Sequence, residues 1–293
     1  MSGTASFEPF PPEFVDLLHA VLARAPRLRD VVVEMRRSRR KIMTPGGTFA
    51  GHRAYAPGED LRFLDWNAYA RSGALVLKVL EEDQHRALSL LVDRSRSMAT
   101  GTPERRVAAL RLAALLGGLG LVQLDAVHVA DPAGRTHTIQ GARSLPRLLD
   151  LLRDAEFDDR PPDVAWRKVL QRGLPGRVHW ISDFADPEAA VPLLVHARRS
   201  GRALSGWLPV LPEDHQPVLD GWLVLVDPET SAELRIQVDA SLRAAMAEEV
   251  RALARHQDAV FGAAGYVLHR YPVPSPGDYR LASWWGSVWN SRS

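Results

Sequence analysis

The chain has 293 residues, 46% of them hydrophobic and 25% charged, with 21 glycines and 21 prolines. Such a composition supports a sizeable core and excludes wholesale disorder. The formal net charge of +2 leaves no global field for nucleic acid or anionic lipid, and the absence of cysteine excludes disulfides, thiol catalysis and Cys-ligated zinc.

In chain order, the first twelve residues form a polar, proline-rich lead-in without a basic start before an apolar run, so they do not read as a signal peptide. Phe14, Leu17, Leu18, Val21 and Leu22 then fall at helical spacing, and the helix ends near Pro26. A basic run, Arg36 to Lys41, precedes a loop-like Thr44-Pro45-Gly46-Gly47, and residues 51–71 carry many charges but little periodicity. This stretch is expected to be an ordered but irregular excursion.

From Ala87 the pattern changes. The apolar run Ala87 to Val92, bounded by charge, has the mark of a buried parallel strand. A helix over 103–118, a hairpin-like stretch over 126–139 and helices over 145–152 and 163–171 lead to a strand at 178–181. A helix over 187–199 and a strand over 203–211 follow. Next come a hairpin pairing 221–226 with 233–238, a helix over 242–264 and a strand over 266–271. Strands alternating with helices predict an α/β fold, a doubly wound, mostly parallel sheet, here with an irregular N-terminal extension and an extra β-hairpin. The expected divisions are 1–84, 85–275 and a C-terminal aromatic tail over 276–293 that packs back on the body. The best apolar stretch, Leu112 to Val122, is about half the ~20 residues of a membrane helix. A soluble, cytoplasmic protein with no membrane span is the expectation.

In open α/β sheets ligands gather at the carboxyl ends of the strands. Asp93 directly follows the first buried strand, with Ser95 and Ser97 two and four residues on, and Asp183 directly follows another in Ile181-Ser182-Asp183-Phe184. If the two strands are neighbours, the carboxylates face each other across one crevice. Two carboxylates and two hydroxyls form a hard, all-oxygen set suited to Mg²⁺ or Mn²⁺. The competing reading has Asp93 ending its strand while Ser95 or Ser97 caps the next helix. Spacing alone leaves both open.

The stretch Arg53-Ala54-Tyr55-Ala56-Pro57-Gly58-Glu59-Asp60-Leu61-Arg62-Phe63-Leu64-Asp65-Trp66, then Ala70-Arg71 and Lys78 to Glu82, resembles a bacterial family, the domain of unknown function 58. In order and correctly spaced after it comes Asp93-Arg94-Ser95-Arg96-Ser97-Met98, and the later Ile181 to Phe184 resembles the same family's Ser-Asp strand end. The resemblance runs from about residue 36 to 271. It implies a von Willebrand factor A (Rossmann-like) fold with a metal-ion-dependent adhesion site in which Asp93, Ser95, Ser97 and Asp183 are ligands. It also implies a MoxR-type AAA+ ATPase as partner, acting in assembly, maturation or metal insertion of a client protein. One departure matters. Adhesion sites of this fold normally include a Thr before a middle helix, and the corresponding region, Asp159 to Trp166, has none; Asp163 is either a substitute ligand or the cap of that helix.

Arg53, Asp60, Arg62, Asp65, Trp66 and Arg71 form either a partner-docking surface or an ion-pair network anchored by Trp66. The Arg36 to Lys41 run, without interleaved aromatics, reads as a solvated basic face rather than a single-strand-binding site. The histidines show no paired metal spacing, and neither a nucleophile elbow nor a nucleotide-binding phosphate loop occurs, so the chain is not itself the ATPase. The expected function is therefore that of a non-enzymatic, metal-assisted protein-interaction module. The alternatives are a metal-dependent hydrolase using the same crevice, and a scaffold with a vestigial site.

Overall fold

The computed structural model describes residues 8–24, 41–42, 48–55, 64–81, 87–99, 105–123, 126–131, 134–154, 174–211, 214, 221–227 and 232–273. The chain divides into two compact units, Met1–Val31 with Ala87–Ser293, and Val32–Arg86. Helix α1 (Pro12–Arg24) falls in the same unit as the large sheet. Its buried stripe, Phe14, Leu18 and Leu22, is the reason. Segments 163–171 and 276–293 lie outside the described residues.

The small unit is more regular than the expected excursion. Strands β1 (Lys41–Ile42), β2 (Thr48–Ala54) and β3 (Val76–Glu81) form an antiparallel sheet in the order β1-β3-β2, with helix α2 (Trp66–Ser72) between β2 and β3. Gly51, at φ 155°, accompanies a register shift against β3. A shifted register moves the side-chain alternation, which hides the strand from a period-2 reading.

In the large unit β4 (Ala87–Val92) leads through α3 (Arg105–Gln123) to β5 (Ala126–Ala130), which turns back into β6 (Thr136–Ile139). After α4 (Leu145–Arg153) the chain enters β7 (Arg177–Ile181), α5 (Pro187–Arg199) and β8 (Leu204–Val210). A separate hairpin of β9 (Gly221–Val226) and β10 (Glu233–Val238), then α6 (Ala240–Ala263) and β11 (Val267–Pro272), complete it. The sheet order is β11-β8-β7-β4-β5-β6, parallel throughout except for β6.

Every residue of β4 is buried, because both faces of the sheet are covered. Successive side chains point to opposite faces. Leu90 therefore meets α3 beside Gly117, while Leu91 joins a cluster with Leu193 and Leu194 of α5 and Phe261 of α6. Each such leucine contributes about 1.5–3 kcal/mol by burial. Helix α3 is 19 residues long and apolar enough to cross a membrane, longer than the stretch read from sequence. Its buried residues run unbroken from Leu112 to Leu121, the pattern of a helix enclosed by protein. It packs against β4, α1 and α4. Gly117 and Gly118 permit this, since a Cβ would come 2.6 Å from Leu148 and 2.9 Å from Leu22. On the other face Gly206 of β8 lies under the Phe261 ring, where any Cβ would overlap it.

Candidate functional site

The chain leaves β4 toward β5 on one side and returns to β7 on the other, so the order reverses at β4. This is the place where open α/β sheets form a crevice at the carboxyl ends of their strands. Strands β4 and β7 are hydrogen-bonded neighbours in register Val92↔Ile181, and Asp93 N–H donates to Ile181 O at 2.8 Å. The residues that follow these strands, Asp93 on one and Ser182-Asp183 on the other, are thereby brought to one edge.

Asp93 is buried, and its carboxylate is held on both oxygens. Ser95 N–H donates to Oδ1 at 2.9 Å and the Ser182 hydroxyl donates to Oδ2 at 2.5 Å. Burial pushes the Asp93 carboxyl up from 3.8 to about 6; the Asp183 charge adds to this, and the bonds from Ser182 and Ser95 oppose it. The hydroxyls of Ser95 and Ser97 stand 2.9 Å apart. A 3-10 turn over Arg96–Ala99 follows, so the serine loop runs into a short turn rather than directly into α3.

Asp183 is half-buried, and its Oδ1 accepts from Ala185 N–H at 3.2 Å. Its loop is fixed from two directions. Phe184 takes φ 47°, a left-handed conformation uncommon for a non-glycine, and its ring packs edge-on against Trp180 and Phe261, each at 5.0 Å. Gln257 of α6, itself buried, donates to the Asp183 and Phe184 carbonyls at 3.3 and 3.0 Å and accepts from Arg270.

Ser182 and Gln257 escaped sequence reasoning. Ser182 lies 89 residues from the carboxylate it serves, and only the β4–β7 adjacency reveals the pair. A third strand-end carboxylate, Asp131 after β5, was also missed. It accepts from Arg135 at 2.8 and 2.7 Å and pairs with His137 at 3.2 Å, bonds that hold it below the ordinary carboxylate range although burial acts the other way. The buried Arg94 guanidinium, lowered to about 10 by burial, is partly compensated by the Asp131 charge. Arg94 therefore couples electrostatically to the β5 side of the edge.

Asp163, Asp60 and Arg62 lie outside the described residues, as does the Arg53 side chain, although the Arg53 backbone pairs with Leu77 in the small sheet. Asp65 begins the helix of the small unit. It is buried and caps α2, accepting from Asn67 and Ala68 N–H at 3.0 and 3.1 Å and pairing with His52 at 2.8 Å. Trp66 is 61% exposed, so it does not anchor the loop in the core, and Arg71 is exposed.

The donor set is hard and anionic, and it fits a divalent cation in chemistry. Among the described residues no three His, Cys, Asp or Glu side chains cluster as a metal site; the oxygens here come from two carboxylates and two hydroxyls.

A mostly parallel, helix-flanked six-stranded sheet with carboxylates after two neighbouring strands is that of an α/β protein, compatible with a Rossmann-like fold. The chain belongs to the family described as protein of unknown function DUF58, which matches residues 51–257. Two solved structures are similar at 17% identity. One is the conserved hypothetical protein BatB from Bacteroides thetaiotaomicron, covering 68% of this chain and 95% of that one, with a TM-score of 0.34. The other is an aerotolerance-related membrane protein from Bacteroides fragilis NCTC 9343, covering 67% and 94%, with a TM-score of 0.36. No curated protein matches the sequence.

Proposed function

We propose that this chain is a metal-assisted protein-interaction module of von Willebrand factor A type, with Asp93, Ser95, Ser97 and Asp183 holding Mg²⁺ or Mn²⁺. The observation that carries this reading is the pair of acidic strand ends on hydrogen-bonded neighbours, β4 and β7, with the two serine hydroxyls 2.9 Å apart in the loop between β4 and α3. When bound, the cation supplies positive charge and an open position for a carboxylate of a partner protein.

The chain's own residues do the positioning. Ser182 and the Ser95 N–H orient the Asp93 carboxylate, and Gln257 with Phe184 sets the Asp183 loop. Burial makes the ionised Asp93 costly, so a cation near it relieves a penalty that the fold itself imposes. By resemblance to the family, the partner is a MoxR-type AAA+ ATPase, with a further client protein.

The test is thermal melting with Mg²⁺, with Mn²⁺ and with chelator. Either metal raises the melting temperature of the wild type, and Asp93→Ala abolishes the shift. An unchanged shift in Asp93→Ala removes Asp93 from the ligand set. Turnover of phosphoesters or peptides with Mn²⁺ would favour the hydrolase instead.

A further inference from the structure

The β9–β10 hairpin stands as a sheet of its own, and two strands alone are marginal in water. Its two rims differ. Strand β10 carries Glu233 and Arg235, both exposed, which guard an edge against further pairing. Strand β9, Gly221-Trp222-Leu223-Val224-Leu225-Val226, carries no charge and no proline. Trp222 is 75% exposed, Val224 51% and Val226 56%.

The phase of the ladder decides which backbone groups are free. Asp227 N–H donates to Ala232 O, so that pair is hydrogen-bonded. Hydrogen-bonded and non-bonded pairs alternate along an antiparallel ladder. With Leu225 opposite Leu234 and Leu223 opposite Ile236, these alternate residues are the ones that bond to β10. The N–H and C=O groups of Trp222, Val224 and Val226 therefore point to the outer edge. Among the described residues no strand takes up that edge. The same three residues thus expose their apolar side chains together with a backbone edge that no described strand pairs.

We propose that β9 is the seam of a two-fold dimer, pairing antiparallel with β9 of a second copy to give a sheet in the order β10-β9-β9-β10. The edge calls for an extended, uncharged, apolar strand, and β9 meets that description itself. An antiparallel register centred on Val224 sets Val224 opposite its own counterpart and Trp222 opposite Val226 of the second copy. Every outward-facing backbone group of these residues then has a partner. Such an interface is isologous, and the charged β10 strands stay on the outer rims, away from each other. A six-residue strand buries far less than the ~800 Å² per partner of a standard interface. The dimer is accordingly weak and concentration-dependent.

Sedimentation equilibrium of the full chain, from about micromolar to several hundred micromolar, reads the assembly directly. The wild-type mass rises toward twice the monomer's with concentration, while Val224→Lys, a change at an exposed position, keeps its fold by circular dichroism and stays monomeric. The chain has no cysteine, so single cysteines report geometry cleanly. Val224→Cys oxidises to a covalent dimer, because paired Cα atoms stand about 5.5 Å apart across the seam. Leu234→Cys, 59% exposed but on the other strand, does not. A wild-type mass that stays monomeric throughout overturns the proposal, as does equal cross-linking through Leu234→Cys. So does a monomeric chain that floats with phosphatidylglycerol vesicles or takes up an unrelated apolar strand peptide, either of which would mark another occupant of this edge.

Discussion

Asp93→Asn removes a charge whose burial the fold opposes while leaving both hydrogen bonds possible, since an amide can accept from Ser95 N–H and donate to Ser182. The carboxyl is raised from 3.8 to about 6, chiefly by burial and then by Asp183. The folded state therefore holds the proton more tightly than the unfolded chain. Between about pH 4 and 6 the unfolded state releases it first, so this group lowers stability as pH rises through that window. Above pH 6 the full penalty is up to about 3 kcal/mol, and below pH 4 it vanishes.

The assay is urea unfolding of wild type and Asp93→Asn in chelator, at half-unit steps from pH 4 to 8, taking the difference between the two at each pH. The variant should be the more stable at pH 8, with the advantage shrinking toward zero near pH 4. Saturating Mg²⁺ should reverse the order, because a cation at a thousandfold its dissociation constant adds about 4.1 kcal/mol to the wild type alone, more than the penalty. A variant that is less stable in chelator across the whole range would refute the argument that Asp93 is a buried, penalised anion.

Three further outcomes follow from the same geometry. Ser182→Ala removes the donor on Asp93 Oδ2 and should cost about 1.5–3 kcal/mol in urea unfolding at pH 7. Gln257→Leu strands the Asp183 and Phe184 carbonyls, so it should cost about 1–3 kcal/mol and weaken the Mg²⁺-dependent rise in melting temperature. His179 of β7 accepts from Trp207 Nε1 at 2.9 Å and is pushed down to about 3 by burial, then by Arg177 and His269. Its folded pKa lies below the unfolded 6.5, so it contributes stability that is lost as pH falls from about 6.5 toward 3. The wild type should accordingly unfold in acid with proton uptake by this histidine, seen as a sloping midpoint in that window.

Much of the large unit was legible because a parallel sheet covered on both faces writes itself as short apolar runs between helical stretches. Ala87 to Val92 was read with its observed bounds, as were the two hairpin strands β9 and β10 and helix α5. The strand-end position of Asp93 and Asp183 followed from those runs, whereas the neighbouring of β4 and β7 had been only a condition. The small unit was less readable. The register shift at Gly51 breaks the alternation of β2, and α2 buries none of its residues, so no apolar stripe marks it. Asp65 carries a signal for its cap, an aspartate directly before a short helical stretch. Ser182 and Gln257 had none, because their roles depend on contacts 89 and 73–74 residues distant.

The central claim is that four oxygen-bearing side chains share one cation, and electron paramagnetic resonance of Mn²⁺ titrated into the chain counts it directly. One bound ion per wild-type chain, displaced by Mg²⁺ and lost in both Asp93→Asn and Asp183→Asn, is the expected result. Free Mn²⁺ throughout the titration, or undiminished binding in either variant, would contradict the account.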